Sequence, residues 1–250
     1  MNITTLLDKV YFAPRLKKID FYANRAGELQ HRVLDRLVRM AENTEWGKKY
    51  DYKSIHTYED FRNRLPIQTY EEVKPYVERL RAGEQNLLWP SEIRWFAKSS
   101  GTTNDKSKFL PVSKEALNDT HYQGGKDAVA LYLGQNPDSR FFSGQGLILG
   151  GSHSPNLNSR HGLVGDLSAI LIQNIHPLVN CVRVPSKKIA LMSDFEKKIE
   201  AIANSAVSKD VTSLSGVPSW MLVLIKRILE KTGKQSLEEI WPNLEVFFRS

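Results

Sequence analysis

The sequence predicts an α/β protein built on a mostly parallel sheet flanked by helices, and incomplete at its C-terminal end. Three observations carry this. Short apolar runs of strand length, at residues 93–97, 147–149, 211–214 and 244–248, alternate with segments of helical spacing, the order that builds parallel sheets. Loops of small and hydroxyl residues follow two of these runs, Ser99-Ser100-Gly101-Thr102-Thr103 and Gly150-Gly151-Ser152. The chain then stops two residues after the bulky run Leu244-Glu245-Val246-Phe247-Phe248. Parallel sheets bind ligands beyond the carboxyl ends of their strands, so this last strand is expected to point at a site whose next loop is absent, as in a fragment.

The elements follow in order. Residues 26–43 read as a helix, with Leu29, Val33, Leu34, Leu37, Val38 and Ala41 at helical spacing and Arg32, Asp35, Arg36 and Arg39 elsewhere on the wheel. Thr57-Tyr58-Glu59-Asp60 and Thr69-Tyr70-Glu71-Glu72 both have the hydroxyl-x-x-acid form that opens a helix. Pro75 falls in the first turn or two of the second, and Gly83 stops it. Ser113 caps the next helix, where Ala116, Thr120, Gly124 and Ala128 form a row of small residues. That row suits either a ligand or close packing.

Residues 166–172 are apolar enough to be buried as helix or strand. Ser193-Asp194-Phe195-Glu196 reads as a capping box opening a helix on Phe195, Ile199, Ile202 and Ala206. Gly216-Val217-Pro218 turns the chain, with Pro218 at or beside the first helical position and Gly233 closing that helix. Ser236-Leu237-Glu238-Glu239 is expected to cap one more short helix ending near Pro242.

Composition narrows the function. The 250 residues are 41% hydrophobic, enough for a sizeable core, and 35 Lys and Arg against 28 Asp and Glu leave a net charge of +7. That mild excess favours anionic ligands. It is spread along the chain without aromatic–basic interleaving, so neither nucleic acid nor a membrane is expected as partner; a basic nucleic-acid-binding domain is the least favoured alternative. A single cysteine, Cys181, excludes an internal disulfide framework and suits a reducing, cytoplasmic compartment. The first eleven residues lack the apolar stretch of a secretory signal, and the longest apolar run, 220–225, is too short to cross a bilayer.

The chemistry concentrates in residues 98–111. Gly101 permits close backbone approach to a ligand, and successive amides in such a turn can form an anion nest. Ser99, Ser100, Thr102 and Thr103 add hydroxyls, and Lys106 and Lys108 add charge. This equipment suits a triphosphate tail, although the same composition serves ordinary solvated turns. It is not a Walker loop, because no G-x-x-x-x-G-K-[ST] is present. His153, after the glycine pair, suits a base, a phosphate contact or a structural role.

The order Ser99-Ser100-Gly101-Thr102-Thr103-x-x-x-x-Lys108-Phe109-x-Pro111 resembles the first ATP motif of the auxin-responsive promoter (Gretchen Hagen) family of acyl-acid amido synthetases. Trp46-Gly47, Thr57 to Phe61, Leu65-Pro66-Ile67-x-Thr69-Tyr70-Glu71, Arg79-Leu80-x-x-Gly83-Glu84 and Gly216-Val217-Pro218-Ser219-Trp220-Met221 agree, in family order. The resemblance covers nearly the whole chain. It implies the N-terminal portion, residues 1–250, of the large domain of an adenylate-forming enzyme related to acyl-CoA synthetases and luciferases. By this resemblance the remainder of that domain and a small mobile C-terminal domain are expected to lie beyond residue 250.

By this resemblance the activity is ATP- and Mg²⁺-dependent conversion of a carboxylic acid to an acyl-adenylate, then amide formation with an amino acid. Ser99, Ser100, Gly101, Thr102, Thr103 and Lys108 carry over as ATP phosphate-binding, and Thr120, Val217 and Pro218 as acyl-pocket residues. The family often places a glycine after the hydroxyl run, where this chain has Asn104-Asp105; both tolerate left-handed backbone. The other reading is a non-catalytic nucleotide- or anion-binding module.

Overall fold

The computed structural model describes residues 3–99, 107–155 and 162–249. The chain opens with α1 (Ile3–Leu7), a π-turn at Asp8–Phe12 and α2 (Ala13–Asn24). Helices α3 (Ala26–Ala41), α4 (Glu45–Lys49), α5 (Tyr58–Arg64) and α6 (Tyr70–Arg81) follow. Strands β1 (Trp95–Lys98) and β2 (Phe109–Val112) lead to a π-helical segment, Ala116–Tyr122, that runs into α7 (Gln123–Gln135). Then come β3 (Gln145–Leu149), β4 (His153–Pro155), β5 (Leu163–Gly165), α8 (Leu167–Asn174), β6 (Arg183–Val184) and α9 (Lys187–Ala190). The last elements are α10 (Phe195–Ala206), β7 (Val211–Gly216), α11 (Pro218–Thr232) and β8 (Val246–Arg249).

Two compact units form. The hairpin unit comprises Arg15–Asp127 and Ser154–Val164; the parallel-sheet unit comprises Met1–Pro14, Ala128–His153 and Gly165–Ser250.

In the hairpin unit the local signals act as the sequence implies. Asp60 donates its N–H to the Thr57 hydroxyl at 3.0 Å, and Thr57 returns its own N–H to Asp60 Oδ2 at 2.9 Å. Thr69 donates its N–H to Glu72 Oε2 at 2.6 Å. Each box satisfies donors that a helix start leaves orphaned. The helices so placed bury Val38, Ala41, Trp46, Tyr52 and Ile55 in one core, and Val77, Leu80, Leu87, Ile93 and Phe96 in a second. β1 and β2 pair antiparallel, in a sheet of order β2-β1-β5-β4.

The parallel sheet is in the other unit, in the order β6-β3-β7-β8 with β3 parallel to both β6 and β7, and β7 to β8. Leu147 and Leu149 on β3 turn one face of it toward Ile199, Ile202 and Ala203 of α10 and Met221, Leu224 and Ile228 of α11. Full burial of each such aliphatic side chain contributes roughly 1.5–3 kcal/mol. Gly216 joins β7 to α11 at φ 154°, and a Cβ there would sit 2.5 Å from the Leu149 carbonyl oxygen. Pro218 begins α11 and Gly233, at φ 68°, closes it.

One open reading is decided and three local expectations are corrected. Residues 167–174 form a helix, with Asp166 at its cap position. The cap of α10 is Asp194, whose carboxylate accepts the Lys197 N–H at 3.0 Å, rather than Ser193. Residues 236–241 make a single turn, not a helix, because Trp241 is drawn inward to 1% exposure and donates its indole N–H to Ala206 O at 3.2 Å. Residues 116–122 are wound as a π-helix, so the row through Ala116, Thr120 and Gly124 is not aligned as an α-helical i, i+4 spacing would align it.

Candidate functional site

The candidate phosphate loop leaves and rejoins the sheet at one narrow mouth. Lys98 and Phe109 are register partners on β1 and β2. One step further out, Ser99 donates its N–H to Lys108 O at 2.9 Å and Lys108 donates its N–H to Ser99 Oγ at 3.0 Å. The Ser99 hydroxyl is thus held as an acceptor within the hairpin and keeps its own proton to donate. Of the residues assigned to phosphate, the structure brings Ser99 and Lys108 together. Ser100, Gly101, Thr102 and Thr103 lie outside the described residues.

Helix α6 holds this mouth from below. Tyr70, its first residue, accepts the Phe109 N–H at 2.9 Å, and the Lys108 Nζ sits 5.5 Å from the centre of the Tyr70 ring. Near the other end of α6, the Arg81 guanidinium lies 3.8 Å from the centre of the Phe109 ring and pairs with Glu78 at 3.0 Å. The electron-rich ring faces favour both cations. Tyr70 is a positioning residue: the sequence places it after a helix cap and inside the motif Leu65 to Glu71, and only the structure sets its ring beside Lys108.

The glycine pair after β3 is closed inward. Gly151 donates its N–H to Ser168 Oγ at 2.9 Å, and Ser152 donates its own to Asp166 Oδ2 at 3.1 Å. The Gly150 and Gly151 carbonyls accept from Lys198 Nζ at 3.2 and 2.9 Å. Lys198 is 2% exposed. Burial pushes its ammonium below the ordinary lysine value, and the Asp166 charge opposes that. The Gly151 and Ser152 amides are therefore committed to protein groups and do not form an anion nest. Sequence reading passed over Lys198, yet it falls four residues before Ile202 on the inner face of α10, a spacing that signals burial.

Thr120 is exposed on the π-helical segment of the hairpin unit. Val217, half-buried, and Pro218, exposed, stand at the start of α11 in the parallel-sheet unit. The α3 arginines are ion-paired: Arg32 with Glu28, Arg36 with Asp119 at 3.0 Å and Arg39 with Asp35 at 2.7 Å. Among the described residues, no three His, Cys, Asp or Glu side chains gather to hold a metal, and no helix is long and apolar enough to cross a membrane.

A parallel sheet covered by helices, together with a separate antiparallel hairpin, is the architecture of solved acyl acid amido synthetases. The GH3.15 acyl acid amido synthetase superposes with a TM-score of 0.74 at 17% identity, over 93% of this chain and 50% of that one. The same enzyme in complex with 2,4-DB gives 0.72 at 18% identity, over 89% of this chain and 48% of that one. Residues 15–249 match the GH3 family N-terminal domain, and the chain belongs to the GH3 family.

Curated relatives agree. The indole-3-acetic acid-amido synthetase GH3.2 of Arabidopsis thaliana is 30% identical over 103 residues, 41% of this chain and 19% of that protein. The jasmonoyl--L-amino acid synthetase JAR4 of Nicotiana attenuata is 26% identical over 106 residues, 42% of this chain and 18% of that protein. The chain thus spans about half of the solved structures and matches about a fifth of the length of these relatives.

Proposed function

We propose that this chain is the N-terminal portion of an ATP-dependent acyl-acid amido synthetase, the part that binds ATP phosphates for activation of a carboxylate. The observation that carries the reading is the family match across residues 15–249, which contains the hairpin whose mouth joins Ser99 to Lys108. In the proposed reaction a carboxylate oxygen attacks the α-phosphorus of ATP, and the bond to the β-phosphate oxygen breaks to release pyrophosphate. The amine of an amino acid then attacks the acyl carbon, AMP departs and the amine loses its proton.

The first step brings two anions together, so the protein must offset repulsion and stabilise charge on the leaving pyrophosphate. The Ser99, Ser100, Thr102 and Thr103 hydroxyls, the backbone at Gly101 and the Lys108 ammonium are the proposed donors to the β- and γ-phosphates. Mg²⁺, if bound together with the nucleotide, would spread the charge of the phosphates. Thr120 and, separately, Val217 and Pro218 are proposed contacts of the acid, tested by whether substitution at each shifts acid preference.

Carboxylate-dependent exchange of pyrophosphate into ATP tests the proposal in the complete protein. Each charged hydrogen bond removed costs about 1.5–3 kcal/mol, so Thr102→Ala with Lys108→Ala should abolish exchange. Unchanged exchange overturns the assignment. ATP binding without exchange in the native complete protein would select the non-catalytic module instead. The 250 residues alone should exchange weakly or not at all.

A further inference from the structure

Arg183 opens the edge strand β6 of the parallel sheet and is 4% exposed. Its Nε donates to Asn180 Oδ1 at 2.7 Å, which fixes the plane of the guanidinium. Nη1 and Nη2 are buried and have no hydrogen-bond partner among the described residues. No salt bridge to Arg183 forms among the described residues either. Its proton affinity is lowered by burial alone, with no carboxylate pulling the other way. A buried charge without a counter-ion is costly, and an arginine fork is shaped to grip two oxygens of one oxyanion.

The neighbours of Arg183 are arranged for such a group. Arg183 is the register partner of Gly146 on β3, and Gly146 that of Ser213 on β7. The three residues therefore form one row across adjacent parallel strands. Leu147 and Leu149 face the α10–α11 core, and strand side chains alternate, so this row lies on the opposite face. At its centre there is no side chain. A Cβ at Gly146 would come within 3.0 Å of Ser213 Oγ, so the serine hydroxyl leans over the glycine. Cover is thin at the edge: β6 is two residues long, and Cys181 and Val182 before it are exposed.

We propose that Arg183, Gly146 and Ser213 form a binding site for a small oxyanion, a carboxylate or an inorganic phosphate. The guanidinium Nη1 and Nη2 groups grip two of its oxygens, and the Ser213 hydroxyl donates to it above Gly146. The site uses none of the hairpin residues assigned to ATP, so it stands or falls apart from the nucleotide reading.

Thermal unfolding of the 250-residue chain, titrated with sodium phosphate and with sodium acetate against sodium chloride of equal ionic strength, tests this. Saturable stabilisation by either anion beyond the chloride control is expected, and the arm that saturates at lower concentration identifies the oxyanion. Arg183→Met should raise the half-saturating concentration at least about tenfold, the loss of a charge-assisted hydrogen bond. Arg183→Lys, which keeps the charge but not the fork, and Ser213→Ala should each weaken binding by less. If Arg183→Met does not fold, Ser213→Ala carries the test. No anion dependence beyond chloride, or the same dependence in the variants, overturns the proposal. So does an Arg183→Met chain that is simply more stable and equally indifferent to anions.

Discussion

Phe109 donates its amide hydrogen to the Tyr70 hydroxyl at 2.9 Å, so the first residue of β2 is tied to the first residue of α6. The same ring lies beneath the Lys108 ammonium. Tyr70→Phe keeps the ring and leaves the Phe109 N–H without its partner, which should cost about 1 kcal/mol. Tyr70→Leu removes the cation–π contact too, for about 0.5–1 kcal/mol more. Urea midpoints check both values. In the complete protein, Tyr70→Leu should raise the KM for ATP more than it lowers kcat, because it loosens a binding group rather than a reacting one.

Two glycines should respond oppositely to alanine. A Cβ on Gly151 would lie 1.9 Å from Asp166 Oδ2 and 2.5 Å from Asp166 Cβ. Gly151→Ala must push α8 away from the turn and should cost about 1–3 kcal/mol or more. Gly124, inside α7, has nothing within 4 Å of its missing Cβ. Gly124→Ala should stabilise by about 0.5–1 kcal/mol through backbone entropy alone. Thermal melts of the pair separate the two effects.

Lys198→Met should destabilise by about 1–3 kcal/mol, because it leaves the buried Gly150 and Gly151 carbonyls without their donor. A pH signature accompanies it. The folded-state ammonium titrates below the ordinary lysine value, mainly through burial. Between the folded and unfolded values the unfolded chain binds the extra proton, so this group makes stability rise with pH through that window. Lys198→Met should remove that contribution, as measured by denaturation across the alkaline range.

Glu200 bridges two helices. Its carboxylate accepts from Lys231 at 2.8 Å and Arg227 at 2.7 Å, and these bonds hold its pKa down to about 2. A depressed carboxylate contributes stability above its unfolded pKa, near the ordinary 4.5, and loses it as pH falls toward about 2. Glu200→Gln should therefore flatten the acid limb of the stability curve between those values. Near-neutral stability should fall by only a small amount, since Arg227 and Lys231 are exposed, Glu200 is only partly covered and solvent screens all three. An acid limb of unchanged slope would remove the assignment.

How much of this was legible depends on range. The caps at Thr57, Thr69 and Ser113, Pro218 at the first position of α11 and Gly233 beyond its end are bonds or angles spanning three or four residues, and each reads directly from the chain. The hairpin bounded by Ser99 and Lys108 was legible as two strands around a polar loop. Its antiparallel sense, and the α6 tyrosine under its lysine, were not. The single turn at 236–241 was read as a helix because local propensity cannot register the burial of Trp241 against α10 and β7.

By itself the amino-acid sequence determined the α/β class, the caps, the family resemblance and the residues offered to phosphate. All of these are properties of composition and short spacing. Only the tertiary structure decided that Ser99 and Lys108 bond across one mouth, that the glycine turn after β3 is sealed by Lys198, and that Arg183 lies buried with no partner for Nη1 and Nη2 among the described residues. Those facts depend on which distant backbone atoms surround each polar group, and burial of charge is a property of neighbours that spacing along a chain does not encode.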